Sequence, residues 1–385
     1  MQTKKLAAAL AAMGLAVPGA AMATNGMLME GYGPIAAGMG GASMAYDNGT
    51  AAMANNPATL ALMENGSRAD LMLGFVGPDV KTPLGTSAAD AFYMPAIGYV
   101  RKQDKLVYGA GIYGQGGMGT EFANGDMAQV SVGRVIFPVA YQVNKRFNVG
   151  GSVDFVWSGM DLVADLDMDG AKDINFSDDS DFTGEAKGYS LAAKLGFTYK
   201  LTDRLAVGGV YQTAGNLPDL KDGSYKVKGF DMPPVVGLGL AWQANNQLML
   251  AADVKDVMWG SSMNTVRIYN TDIPNFAAPF QQDWDDQIVV ALGAAYKFTD
   301  AFTARVGYNY GKNPIPDEFV NYLWPAIIED HYTAGFGYAF ANQSELNFAV
   351  VVAPEVSVTG TGPMNVGLVI EHSQVNWQLM YSMKF

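Results

Sequence analysis

From Val375 to Phe385 the chain alternates without a break. Val375, Trp377, Leu379, Tyr381, Met383 and Phe385 fall on one face, and Asn376, Gln378, Met380, Ser382 and Lys384 on the other. A period of two is that of a strand, whose successive side chains point to opposite faces. The pattern recurs. Phe147, Val149, Val153, Phe155 and Trp157 oppose Asn148, Ser152 and Asp154, and Phe302, Ala304, Val306, Tyr308 and Tyr310 oppose Thr303, Arg305 and Asn309. About fourteen such segments follow one another. Short turns ("KQDK", "VNKR", "LTDR", "ANNQ", "FTDA", "ANQS") alternate with longer loops near 77–90, 115–128, 161–185, 215–232, 261–285, 313–330 and 358–364. Short turns at one end and long loops at the other mark a transmembrane barrel of the outer-membrane type. The expected fold is all-β, a transmembrane antiparallel β-barrel of about 14 strands, apolar outside and polar within.

Lys4 and Lys5 precede an apolar run from Leu6 to Val17 and a small-residue stretch ending at Ala23. This reads as a secretory signal peptide over residues 1–23. No later run reaches the roughly 20 apolar residues of a spanning helix. The chain has no cysteine, hence no disulfide and no thiolate metal site. A net charge of -13 excludes nucleic acid as a natural partner, because no basic patch releases phosphate counterions. Residues 24–66 are rich in Gly, Met and Ala, lack the period of two and are broken at Pro57. They are expected to fold as a hatch inside a barrel formed by 67–385.

Within that segment, Gly31-Tyr32-Gly33, Met39-Gly40-Gly41-Ala42 and Asn56-Pro57-Ala58 resemble the hatch of the FadL-type family of outer-membrane transporters for long-chain fatty acids, aromatic hydrocarbons and other hydrophobic compounds. "MPPVVGLGLAWQANNQLMLAADVKDVMW", "NPIPDEF" and "PAIIEDHYTAGFGYAF" extend the resemblance over essentially the whole mature chain. It implies a fourteen-stranded barrel plugged by its hatch. It also implies capture of ligand in an outer groove, hatch rearrangement and sideways exit at a kinked third strand. The third segment here, "LVYGAGIYGQGGMG", is the most glycine-dense, and Gly114, Gly116 and Gly117 are the exit candidates. Asn56 is suited to hydrogen-bond the broken ladder there, with Pro57 fixing its approach.

Covalent catalysis has no support: His331 and His372 are the only histidines, and neither has a neighbouring Ser and acid in sequence. No cofactor is expected. Asp165, Asp167 and Asp169 match the first half of a calcium loop, and Asp173 falls at its ninth position. Phe176 stands where the motif needs a bidentate Glu, so the alternatives are a solvated acidic loop and a loose divalent site shared with lipopolysaccharide phosphates. Met27 and Leu28 of the hatch, with Met118, Phe122, Phe276, Phe280 and Trp324 of the loops, are the ligand-binding candidates. Apolar clusters on nominally wet segments mark binding grooves, and methionine suits variable ligands. A carboxylate head would need a cation such as Arg134, Lys194, Arg305 or Lys312; a hydrocarbon needs none. The expected function is monomeric uptake of hydrophobic small molecules across a Gram-negative outer membrane, in contact with lipid and lipopolysaccharide, with Phe385 read by the barrel-assembly machinery. The rival is a general diffusion porin for small polar solutes, which needs no hatch.

Overall fold

The computed structural model describes residues 24–167, 169–178, 184–217 and 219–385; the expected signal peptide lies outside them. Fourteen strands form the wall. They are β1 Gly66–Thr82, β2 Phe92–Gln103, β3 Leu106–Glu121, β4 Met127–Gln142, β5 Phe147–Ala164, β6 Ala186–Lys200, β7 Leu205–Gln212, β8 Val235–Gln243, β9 Leu248–Val257, β10 Gln287–Lys297, β11 Phe302–Gly311, β12 Asp330–Ala339, β13 Glu345–Thr359 and β14 Val369–Lys384. Each pairs antiparallel with the next, and β1 pairs with β14 from Arg68↔Lys384 to Lys81↔Glu371. The ring of strands therefore closes into a barrel, the form in which strands can cross a bilayer.

The period-two faces sort as the alternation requires. Leu71, Leu191, Leu195 and Val306 point outward and are more than half exposed. Arg68, Asp70, Arg134, Asp154, Lys194 and Asn309 point inward and are buried. Tyr99, Tyr108, Tyr141, Tyr199, Trp242, Tyr296, Tyr338 and Tyr381 stand exposed near the short turns, the position of an interfacial girdle. The other end carries loops with strands of their own, at Ile174–Phe176, Leu220–Asp222, Tyr225–Lys228, Thr265–Asn270 and Ala277–Gln281. Trp259, Trp284 and Trp324 are buried among these loops. The segment near 115–128 is not a long loop, because β3 stays paired with β4 up to Glu121↔Met127 and only 122–126 turn.

Residues 24–65 fill the interior. They include the short helix α1 Pro34–Ala37 and 3-10 turns at Gly49–Met53 and Pro57–Leu62, and Met27, Met39 and Met53 are fully buried. Such an irregular segment exposes backbone groups that regular structure would satisfy, and buried ones must find partners. Wall side chains supply them. Asp253 accepts from the Ser43 and Met44 amides at 2.6 and 3.2 Å, Asp70 from the Thr50 amide at 2.7 Å, and Thr333 from the Gly40 amide at 3.0 Å. Lys102 donates to the Ala61 and Met63 carbonyls, both at 2.7 Å, and Gln378 to the Gly31 carbonyl at 3.0 Å.

Candidate functional site

The wall is incomplete at one place. β2 pairs with β1 as far as Phe92↔Val76, but with β3 only from Gln103↔Leu106 to Ile97↔Ile112. Beyond Ile112, β3 keeps its β4 partner alone, and its register there slips by one residue between Gly114 and Gly116. The extra residue, Gln115, turns inward and is 3% exposed. It accepts a hydrogen bond from Arg134 Nε, and its carbonyl accepts from Tyr32 of the hatch at 2.8 Å. The freed edge of β3 cannot be left to hydrocarbon, which offers no hydrogen bonds. The hatch meets it: Leu28 bridges Gly116, and the Gly117 amide donates to the Met27 carbonyl at 3.2 Å. Pro95 lies on the facing stretch of β2, and proline is tolerated where a strand is an edge.

A cavity of about 300 Å³ occupies this break. The hatch contributes Gly26 and Met29; β2 contributes Phe92, Tyr93, Met94 and Pro95. Tyr93 and Ile112, 49% and 45% exposed, stand on the lipid face, whereas His372 and Gln374 belong to the lumen. The cavity therefore runs through the wall. No lysine, arginine, aspartate or glutamate borders it among the described residues.

All seven apolar candidates converge on one cluster at the long-loop end. Met27, Leu28, Phe122, Phe280 and Trp324 are buried in it, and Met118 and Phe276 pack against it half-buried. Phe280 and Trp324 meet edge to face at 5.1 Å between ring centres. Met118 also borders the cavity, as do Gly114, Gly116 and Gly117, so the cluster and the break are continuous. Met94, Trp157 and His372, which also border the cavity, were not among the ligand-binding or exit candidates of the sequence. Each falls on an ordinary strand position, and only the pairing defect sets them apart.

Other expectations need correction. Asn56 does not serve β3. Its amide donates to the Met44 carbonyl at 2.7 Å and to Phe197 on β6 at 3.1 Å, while its oxygen caps the 3-10 turn by accepting from the Ala58 amide at 3.1 Å. Asn56-Pro57-Ala58 lies instead against Gly150 and Gly196 of β5 and β6. Two of the four cations are engaged by the protein at the centre of the lumen. Arg134 pairs with Asp154 at 2.9 Å and Lys194 donates to the Ala54 carbonyl. Arg305 faces the short-turn end beside Arg68 and Lys384, and Lys312 borders a separate outer cavity. In the acidic loop, the carboxylates that approach within 4.8 Å of one another are those of Asp165, Asp167 and Asp173. Asp169 turns back instead to accept from the Ala171 amide at 2.8 Å.

Among known proteins, the family model described as outer membrane protein transport protein (OMPP1/FadL/TodX) matches residues 10–362. The crystal structure of the Ralstonia pickettii toluene transporter TbuX is similar with 28% identity and a TM-score of 0.77, covering 92% of this chain and 99% of that one. The Pseudomonas putida toluene transporter TodX is similar with 27% identity and a TM-score of 0.78, over 92% and 99% of the two chains. A Pseudomonas aeruginosa FadL homologue, 16% identical with a TM-score of 0.72 over 93% and 98%, shares the fold. A curated Chlorobium limicola protein, uncharacterised and named for its place in the 5' region of a phosphoenolpyruvate carboxykinase gene, is 42% identical over 81 residues, which are 20% of this chain and 39% of that protein.

Proposed function

Since this chain belongs to the outer membrane protein transport protein family (OMPP1/FadL/TodX), we propose that it takes up neutral hydrophobic compounds and releases them sideways through the barrel wall. One observation carries the reading: an uncharged cavity spans the wall where β3 leaves β2, and the hatch backbone closes it from within. Ligand gathers at the apolar loop cluster around Phe122, Phe280 and Trp324. A shift of Met27 and Leu28 then opens the way past Gly114, Gly116 and Gly117 to the lipid face. The drive is apolar area leaving water, about 0.8 kcal/mol per CH₂, and passage into lipid spares the ligand a return to water.

Between the ligands that the sequence leaves open, the uncharged cavity favours hydrocarbons and aromatics over fatty acids. A buried carboxylate requires a paired charge, and Arg134 and Lys194 are already held by protein groups. The similarity to two toluene transporters agrees with this choice. The porin alternative is disfavoured by a lumen filled by the hatch.

Conductance in planar bilayers separates the two. The intact protein is expected to pass little ion current, while a variant lacking Thr24 to Ala58 that still assembles conducts readily. Large steady channels from the intact protein, with no protein-dependent toluene uptake by cells, overturn the proposal.

A further inference from the structure

His372 sits on the lumen face of β14, opposite Val80 of β1 and Val356 of β13. It is 9% exposed and borders the cavity. Its Nδ1 lies 2.6 Å from the Pro325 carbonyl oxygen. A carbonyl can only accept, so Nδ1 carries the hydrogen. No carboxylate pairs with the ring among the described residues, and the neutral imidazole therefore presents Nε2 as a bare lone pair. That nitrogen has no hydrogen-bond partner in the protein. An unsatisfied buried acceptor is costly, and this one belongs to a side chain that borders the cavity. The other polar side chains of the lumen side of the cavity are Thr24 and Gln374, and Thr24 already donates to the Gly26 carbonyl at 2.6 Å.

Size narrows the donor. A dry apolar cavity of about 150 Å³ holds benzene, so about 300 Å³ has room for one substituted ring. We propose that His372 is the polar subsite of the cavity and that the ligand class is a neutral one-ring compound carrying a hydroxyl group, a phenol or aromatic alcohol, whose O–H donates to Nε2. This rests on the hydrophobic-uptake reading above. A carboxylate fails on two counts: it has no donor to offer the lone pair, and no cation borders the cavity to balance it.

Three ligands with the same ring test this on the purified, folded barrel at pH 7.5: toluene, p-cresol and p-toluate. Cresol is expected to bind roughly 2- to 10-fold more tightly than toluene, the range of one net hydrogen bond, and toluate more weakly than either. In His372→Phe the ratio of cresol to toluene affinity falls to about one, whatever the change in either affinity alone; in His372→Gln, whose side-chain carbonyl can accept, part of the ratio returns. If wild type binds toluene at least as tightly as cresol, the inference falls and the uptake reading stands. A full cresol advantage in a folded His372→Phe variant, or preferred binding of toluate, also overturns it. If wild type binds neither toluene nor cresol, the uptake reading fails and this inference with it. The wild-type comparison is decisive even if a variant does not fold.

Discussion

A Cβ added to Gly116 would stand 1.8 Å from the Met27 carbonyl oxygen. That atom is backbone and cannot rotate away, so any larger residue there displaces the hatch or plugs the break. In Gly116→Val the expected penalty on hatch docking is roughly 1–3 kcal/mol, the usual cost of overpacking. Toluene uptake should fall several-fold while binding at the outer loops persists. Uptake and binding measured side by side on the folded variant check this, and parent-level values for both would remove the exit from this strand. The glycine density of β3 was legible in the sequence because close approach leaves a compositional trace. The partner was not: Asn56 looked equipped for the task, yet Met27 and Leu28 do it with main-chain atoms, which no residue pattern announces.

Among the elements, the hatch carries its own titratable group. Glu30 is fully buried, 3.3 Å from the Asn376 amide and 3.8 Å from His331 Nε2, and Lys255 donates to its carbonyl oxygen at 3.1 Å. Burial pushes its carboxyl up from 4.5 to about 8. A raised carboxyl favours the docked state fully below pH 4.5, and that contribution is lost as pH rises through about 8. Hatch docking should therefore weaken between about pH 4.5 and 8, seen as growing proteolysis of the hatch or ion leakage, and Glu30→Gln should flatten the profile. A profile equally steep in the variant would exclude Glu30 as its cause. The strands themselves were readable because lipid outside and polar groups inside impose the same alternation on every one. Their upper ends were not: glycine in β3 and Pro78 in β1 look like loop, but ladder partners across the sheet keep both extended.

In the whole molecule, Phe385 completes the ring. Its amide donates to the Ser67 carbonyl at 3.0 Å and its carbonyl accepts from the Ser67 amide at 2.6 Å, while its ring, 72% exposed, lies near Tyr99 in the girdle. Phe385→Ala keeps the main-chain bonds and loses the ring. The folded fraction in the membrane should drop with uptake per folded molecule unchanged; normal folded levels with reduced uptake would contradict this. The wall is also cut to the hatch. Cβ atoms at Gly293, Gly307, Gly208 and Gly150 would strike Met39 O, Gly40 N, Met44 O and Ala58 N, all main-chain atoms. These notches register where the hatch runs and are blind to which side chains it carries there. Descendants of this protein can thus exchange hatch side chains one by one, whereas inserting or deleting a single residue between Met39 and Ala58 shifts the thread against its notches. Divergence in the hatch should accumulate as spelling changes at constant length.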